Sequence, residues 1–408
     1  MRSALIAGLD VGSTRTRAVI GEYVPRYRRP ELRVLGVGAT GTVGVRKDVI
    51  TDLDAATECI RGAVTEAEVM AGVRVDRVYV GVAGDHVEVR RSEGVVAVAA
   101  EEIVLDDVDR VNEVAQAVPL AHDRELIHAI PQDYSVDHYG GIQDPVGMAG
   151  TRLETELCIV TGCSAVVGNL TRAVERAGYR VQDRLLEPLA AARAVLAEDE
   201  RELGVVLIDM GAASTGMGLY YEGKIRDLTV FPFGGSAITS DLIRGLSVPF
   251  AQAARIKEEN GSARPRSVDP VEVIEVPTGN GRPKRVARRY VAELIEERLK
   301  NMFLQIERRL SRTCNPQALG AGVVITGGVT ATPGIARLAS ECLGVAARIG
   351  VPGEGLQGLT DLVARPGFAT AAGLALYGAD YFIDTGEGAS TLASGVVTRV
   401  GAWLKEFF

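Results

Sequence analysis

Aromatic side chains are scarce in this sequence: one tryptophan, eight phenylalanines and eleven tyrosines in 408 residues. With a net charge of −8, so few rings argue against a general nucleic-acid binder, which needs cations and stacking faces. The four histidines (His86, His122, His128, His138) include no i, i+4 pair, which speaks against a histidine metal site. Five cysteines (Cys59, Cys158, Cys163, Cys314, Cys342) lack metal-ligand spacing. Their odd number opposes a disulfide framework and suits a reducing cytosol. No run approaches the roughly 18 apolar residues of a membrane span. Asp10 interrupts a short N-terminal apolar run, so no signal peptide is expected.

What is present is ordinary globular chemistry, 47% hydrophobic and 24% charged, in a chain long enough for two domains or more. One stretch organises the rest. Ala4–Ala7 is an apolar strand; Asp10-Val11-Gly12-Ser13-Thr14 then turns sharply, and Val19-Ile20 resumes an apolar strand. Gly12 lets backbone approach a ligand, and Ser13 and Thr14 offer hydroxyls and amides to phosphate oxygens. Asp10 would face magnesium through water. Taken alone, this stretch also reads as a plain hairpin with a polar turn. The pattern returns some 200 residues later: strand Gly204–Ile208, then Asp209-Met210-Gly211-Ala212-Ala213-Ser214-Thr215, then a strand over Gly216–Tyr221. Two such hairpins suggest two similar domains clasping one nucleotide.

Between and around them the chain reads as strands over 4–40, a helix over Asp52–Ala71 capped by Asp52 or Asp54, and a strand over Val75–Ala83. The block 84–162 changes character: a hairpin over Glu88–Ala100 around Ser92-Glu93-Gly94, a helix over Asp106–Val118, and strands near Glu125–Tyr134 and Thr155–Thr161. It reads as a small inserted α+β subdomain. Helices follow at Ser164–Ala177, Leu189–Leu196, Ser236–Arg244, Pro249–Glu259 and Tyr290–Arg312, and a last core helix at Thr370–Tyr377.

These motifs resemble the actin/hexokinase/DnaK-type ATPase superfamily. Asp10–Thr14 is similar to its first phosphate loop, with Arg17 where relatives often carry lysine. Glu187-Pro188-Leu189-Ala190-Ala191-Ala192 resembles the first connecting helix, Asp209–Thr215 the second phosphate loop, Ile325-Thr326-Gly327-Gly328 the adenosine motif, and Gly367–Gly378 the second connecting helix. Within the superfamily, the chain is most similar to the bacterial cell-division family FtsA. The resemblance rests on Gly8–Arg17 with Gly21-Glu22, Thr239-Ser240-Asp241, Arg255-Ile256-Lys257, Leu359-Thr360-Asp361 and the insert itself.

The resemblance implies an actin-like two-domain α/β ATPase fold with a relocated small α+β subdomain and a C-terminal amphipathic helix. Residues 1–83, 163–195 and 362–381 would form the first core subdomain, and 84–162 the insert. Residues 196–225 and 304–361 would form the second core subdomain, and 226–303 a small partner-binding subdomain. A linker would cover 382–394 and the helix 395–408. ATP and magnesium are the implied cofactors, with Asp10 and Asp209 toward the metal and Glu187 and Asp209 toward catalysis. Asp10, Gly12, Ser13, Thr14, Arg17, Gly211, Ser214, Thr215, Gly235, Lys257, Gly327 and Gly328 are the implied nucleotide contacts. Where many relatives carry glycines, Ala212 and Ala213 stand in the second loop. Their β-carbons crowd the γ-phosphate and resist positive φ, so turnover at most slow is expected.

Two surfaces complete the reading. Apolar Val396, Val397, Val400, Trp403, Leu404, Phe407 and Phe408 fall on one helical face of 395–408, suited either to docking on the core or to lying on a membrane. The basic run Arg282–Arg289, extended by Arg298 and Lys300, is either a solvated face or a dock for an acidic peptide. The family resemblance favours a peripheral protein at the cytoplasmic membrane of the division site. It would bind the FtsZ C-terminal peptide near Arg288, Arg298 and Lys300, polymerise with itself, and meet later divisome membrane proteins through 84–162. An actin-like pilus or secretion platform and a small-molecule kinase of the same superfamily are the competing functions.

Overall fold

The computed structural model describes residues 4–25, 30–276 and 283–385. The segment 395–408, with its expected membrane-facing side chains, lies outside the described residues.

Each half is built on the same strand arrangement. In the first, strand Leu5–Val11 pairs antiparallel with Arg15–Val24, which pairs antiparallel with Glu31–Gly41. On its other side Leu5–Val11 pairs parallel with Arg77–Val82. In the second, Val205–Met210 pairs antiparallel with Thr215–Tyr221, which pairs antiparallel with Lys224–Phe231, and parallel with Gly322–Thr326. The central strands are buried on both faces, which explains their unbroken apolar runs.

Helices cover both sheets. Asp52, the expected cap, accepts from the backbone N–H groups of Asp54 and Ala55 at the start of helix Leu53–Ala71. The helices Glu187–Val195 and Ala369–Thr385 meet between the two sheets. They touch backbone to backbone: a β-carbon on Gly373 would lie 1.7 Å from Ala190 O. Beside this crossing, Arg193 and Asp380 form a buried ion pair with contacts of 2.7 and 2.9 Å.

The block after Gly84 folds as a four-stranded sheet, in the order 88–97, 152–163, 124–136, 139–142, with helix Leu105–Gln116 packed on it. Here the expected hairpin over Glu88–Ala100 is corrected. Glu88–Ala97 is one strand, antiparallel to Arg152–Cys163 along its whole length. Gly94 marks a close crossing rather than a turn, since a β-carbon there would lie 2.4 Å from Val111 O of the helix. The glycine-rich stretch after it also contains a short strand, Tyr139–Ile142.

Candidate functional site

The two repeated turns close with the same backbone hydrogen bond. Gly12 N donates to Arg15 O at 3.2 Å, and Gly211 N donates to Ser214 O at 3.0 Å. Each turn follows a buried strand whose penultimate residue is an aspartate, Asp10 or Asp209, and both carboxyls reach one cleft of about 570 Å³. Gly12, Ser13, Thr14 and Arg17 line it from one half, and Gly211, Ser214, Gly235, Lys257, Gly327 and Gly328 from the other. Glu187, first residue of its helix, reaches the same cleft. Thr215 alone of the expected nucleotide contacts is not in the lining. It is buried, and its hydroxyl donates to Phe233 O at 2.7 Å.

The cleft is short of cations. Arg17 Nη1 stands 3.7 Å from Asp10 and its guanidinium lies over the Phe368 ring. Burial pushes the Asp10 carboxyl up to about 6, against the lowering effect of Arg17. Burial, with the Asp10 charge, lifts Asp209 to about 7, although Thr370 Oγ1 donates to it at 3.2 Å. Burial and the charges of Asp10, Asp48 and Asp209 hold Glu187 well above the usual carboxylate range. Such a site favours a bound cation that removes the mutual repulsion. Among the described residues, no three histidines, cysteines or acids are grouped to ligate a metal directly.

The second loop departs from one expectation. Neither Ala212 nor Ala213 has positive φ, so their side chains carry no left-handed strain. Gly327 does need its freedom: its φ is +87°, and a β-carbon there would lie 2.4 Å from Asp209 Oδ1. Nearby, helix Gly235–Leu246 starts against the second loop, with Gly235 N and Ser236 N donating to Gly211 O and Ala212 O. Lys257 Nζ donates to Gly235 O at 3.2 Å and Thr239 Oγ1 at 3.0 Å, and burial lowers its pKa.

Among the lining residues that sequence reasoning does not single out are Asp48 and Thr370. Asp48 lies in a two-residue turn with no phosphate motif around it. Thr370 opens an otherwise apolar helical run. The cations expected to hold a peptide are each paired already. Arg288 contacts Glu272 at 2.9 Å, Arg298 Nη2 donates to Asp241 at 2.8 Å, and Lys300 lies 3.0 Å from Glu296. A second cavity, about 630 Å³, separates the insert from the second half and touches Asp133, Glu154, Arg226 and Cys314.

The family model described as cell division protein FtsA matches residues 206–373, and that of the SHS2 domain inserted in FtsA matches residues 84–161. The cell division protein FtsA of Pseudomonas aeruginosa is 36% identical over 375 residues, covering 92% of this chain and 89% of that protein. The chain belongs to the FtsA family. Its fold is actin-like, as solved structures agree. A chain of a PilM–PilN type IV pilus biogenesis complex is similar at a TM-score of 0.65 and 18% identity, covering 92% of this chain and 98% of its own. MreB5 of Spiroplasma citri, solved bound to ADP, has a TM-score of 0.54 and 12% identity, covering 94% of this chain and 99% of its own. The FtsA-specific SHS2 match coincides with the four-stranded subdomain inserted after Gly84.

Proposed function

We propose that this FtsA-family chain binds ATP with magnesium between its two hairpins, polymerises, and tethers the FtsZ ring to the cytoplasmic membrane at the division site. One observation carries the nucleotide reading: two matching turns present Asp10 and Asp209 across a single cleft whose walls carry hydroxyls and free backbone approaches. Gly12, Ser13, Thr14, Gly211 and Ser214 would receive the phosphates. Gly235, Lys257, Gly327 and Gly328 would receive the adenosine. Magnesium would supply charge neutralisation at the phosphates, and Glu187 would orient a water for slow attack on the terminal phosphorus.

The tether follows from the tail. Were 395–408 to form a helix, the seven apolar residues of its sequence would share one face and supply roughly 5–10 kcal/mol gross, while ordering about fourteen residues would cost a similar amount. One tail is then a weak anchor, and many tails on one filament are a firm one. The FtsZ C-terminal peptide would exchange its acids for Glu272, Asp241 and Glu296 at Arg288, Arg298 and Lys300. The 84–162 subdomain would face later divisome membrane proteins.

Electron microscopy on an anionic lipid monolayer, with and without ATP, tests assembly. Deleting 395–408 should abolish liposome sedimentation while leaving ATP binding intact. Retained sedimentation refutes the tether, and absence of ATP binding to the full chain refutes the nucleotide site.

A further inference from the structure

Asp48 joins the two phosphate loops to each other. Ser13 of the first loop donates its hydroxyl to Asp48 Oδ1 at 2.7 Å, and Ser214 of the second donates to Asp48 Oδ2 at 2.6 Å. Asp48 N also donates to Ser13 Oγ at 2.8 Å. The residue sits in a hairpin where Val45 pairs with Ile50 and Arg46 with Val49, leaving Lys47 and Asp48 as a two-residue turn. Their φ values are +53° and +59°. A turn of this kind favours Asn-Gly, because both central residues must adopt positive φ. Aspartate tolerates positive φ, but glycine is the usual residue at the second turn position, so local geometry supplies no specific reason for Asp48. The two hydrogen bonds of the carboxylate give one.

A serine hydroxyl carries one proton to donate. A terminal phosphate beside Asp10 and Asp209 would seek the same two protons, and both anions cannot hold them together. Resting on the nucleotide reading above, we propose that Asp48 is an internal stand-in for the γ-phosphate. Its carboxylate clasps the two loops when a diphosphate is bound, and a triphosphate displaces it. The side chain thereby discriminates between the two nucleotides. Displacement also reaches the root of the inserted subdomain: a β-carbon on Gly84 would lie 3.1 Å from Asp48 Cβ and 3.2 Å from the His86 ring.

The test is calorimetric titration of the full chain, with magnesium, using AMPPNP and ADP. Asp48→Gly and Asp48→Asn both suit positive φ, so both should fold, as a thermal melt would verify. Removing the competing charge should tighten AMPPNP by about tenfold and change ADP by less than about twofold. AMPPNP affinity that is unchanged or weaker overturns the proposal, as does equal tightening of ADP. Binding of neither nucleotide by the unaltered chain overturns the nucleotide reading itself, and the proposal with it.

Discussion

His128 Nε2 accepts the backbone N–H of Leu186 at 3.0 Å, so the inserted subdomain holds the residue immediately before Glu187. The imidazole is fully buried, and burial, with the nearby Arg184 charge, lowers its pKa to about 3.

That depressed value sets a pH dependence. Unfolded histidine binds its proton near pH 6.5, whereas folded His128 stays neutral to about 3. Between those limits the unfolded chain holds the extra proton, so stability falls as pH falls, by about 1.4 kcal/mol per unit from this group. In His128→Gln, whose amide oxygen can accept the same N–H, denaturant unfolding at pH 7 and pH 5 should show a smaller loss than in the unaltered chain.

The acids of the cleft titrate in the opposite sense. Asp10 and Asp209 have folded pKa values raised to about 6 and about 7 from 3.8. Their stabilising contribution is complete below the unfolded value and is lost as pH rises through the folded ones. A divalent cation with nucleotide reverses that loss and must expel the retained protons. Adding magnesium and ATP at a pH between about 6 and 7 should release protons detectable with an indicator dye in weak buffer. Asp209→Asn should release fewer.

The Arg193–Asp380 pair offers a stability test. Removing one partner leaves a charge buried, so Asp380→Ala should cost about 3–5 kcal/mol by denaturant unfolding. The double change Arg193→Met with Asp380→Leu should cost clearly less, because no buried charge is then left alone.

Gly94 separates two views of the insert. In a turn, a larger side chain would be accepted with little cost. In a strand crossed by a helix, Gly94→Val should cost about 1–3 kcal/mol through overpacking against Val111. Hydrogen exchange should rise in the sheet that holds Glu88–Ala97 and Arg152–Cys163, with the strands bearing Asp10 and Asp209 unaffected.

The sequence made the two hairpins legible because a buried strand, an Asp-x-Gly and paired hydroxyls form a local signal, and its repetition implied a shared cleft. Thr215 shows the limit of such reading: one residue past Ser214, the strand alternation turns its hydroxyl into the sheet toward Phe233. Gly94 suggests a turn in the sequence because a glycine serving a close crossing looks the same there as a glycine serving a turn. Asp48 could not be found at all. Its importance comes from two serines, 35 and 166 residues away in the chain, that only the tertiary fold brings to its carboxylate. The pairing of Arg298 with Asp241 was equally hidden, since a basic run does not announce which acids already meet it.

The contact of Gly373 with Ala190 has a mechanical consequence. The helix that carries Gly373 is held close to the first sheet as well, where a β-carbon on Gly8 would lie 2.2 Å from Ala371 O. At Gly373 the two helices meet backbone to backbone with no side chain interposed, so the space between them is set by the absence of a β-carbon at that residue. Any side chain placed there would act as a wedge, forcing apart the two helices that meet between the sheets.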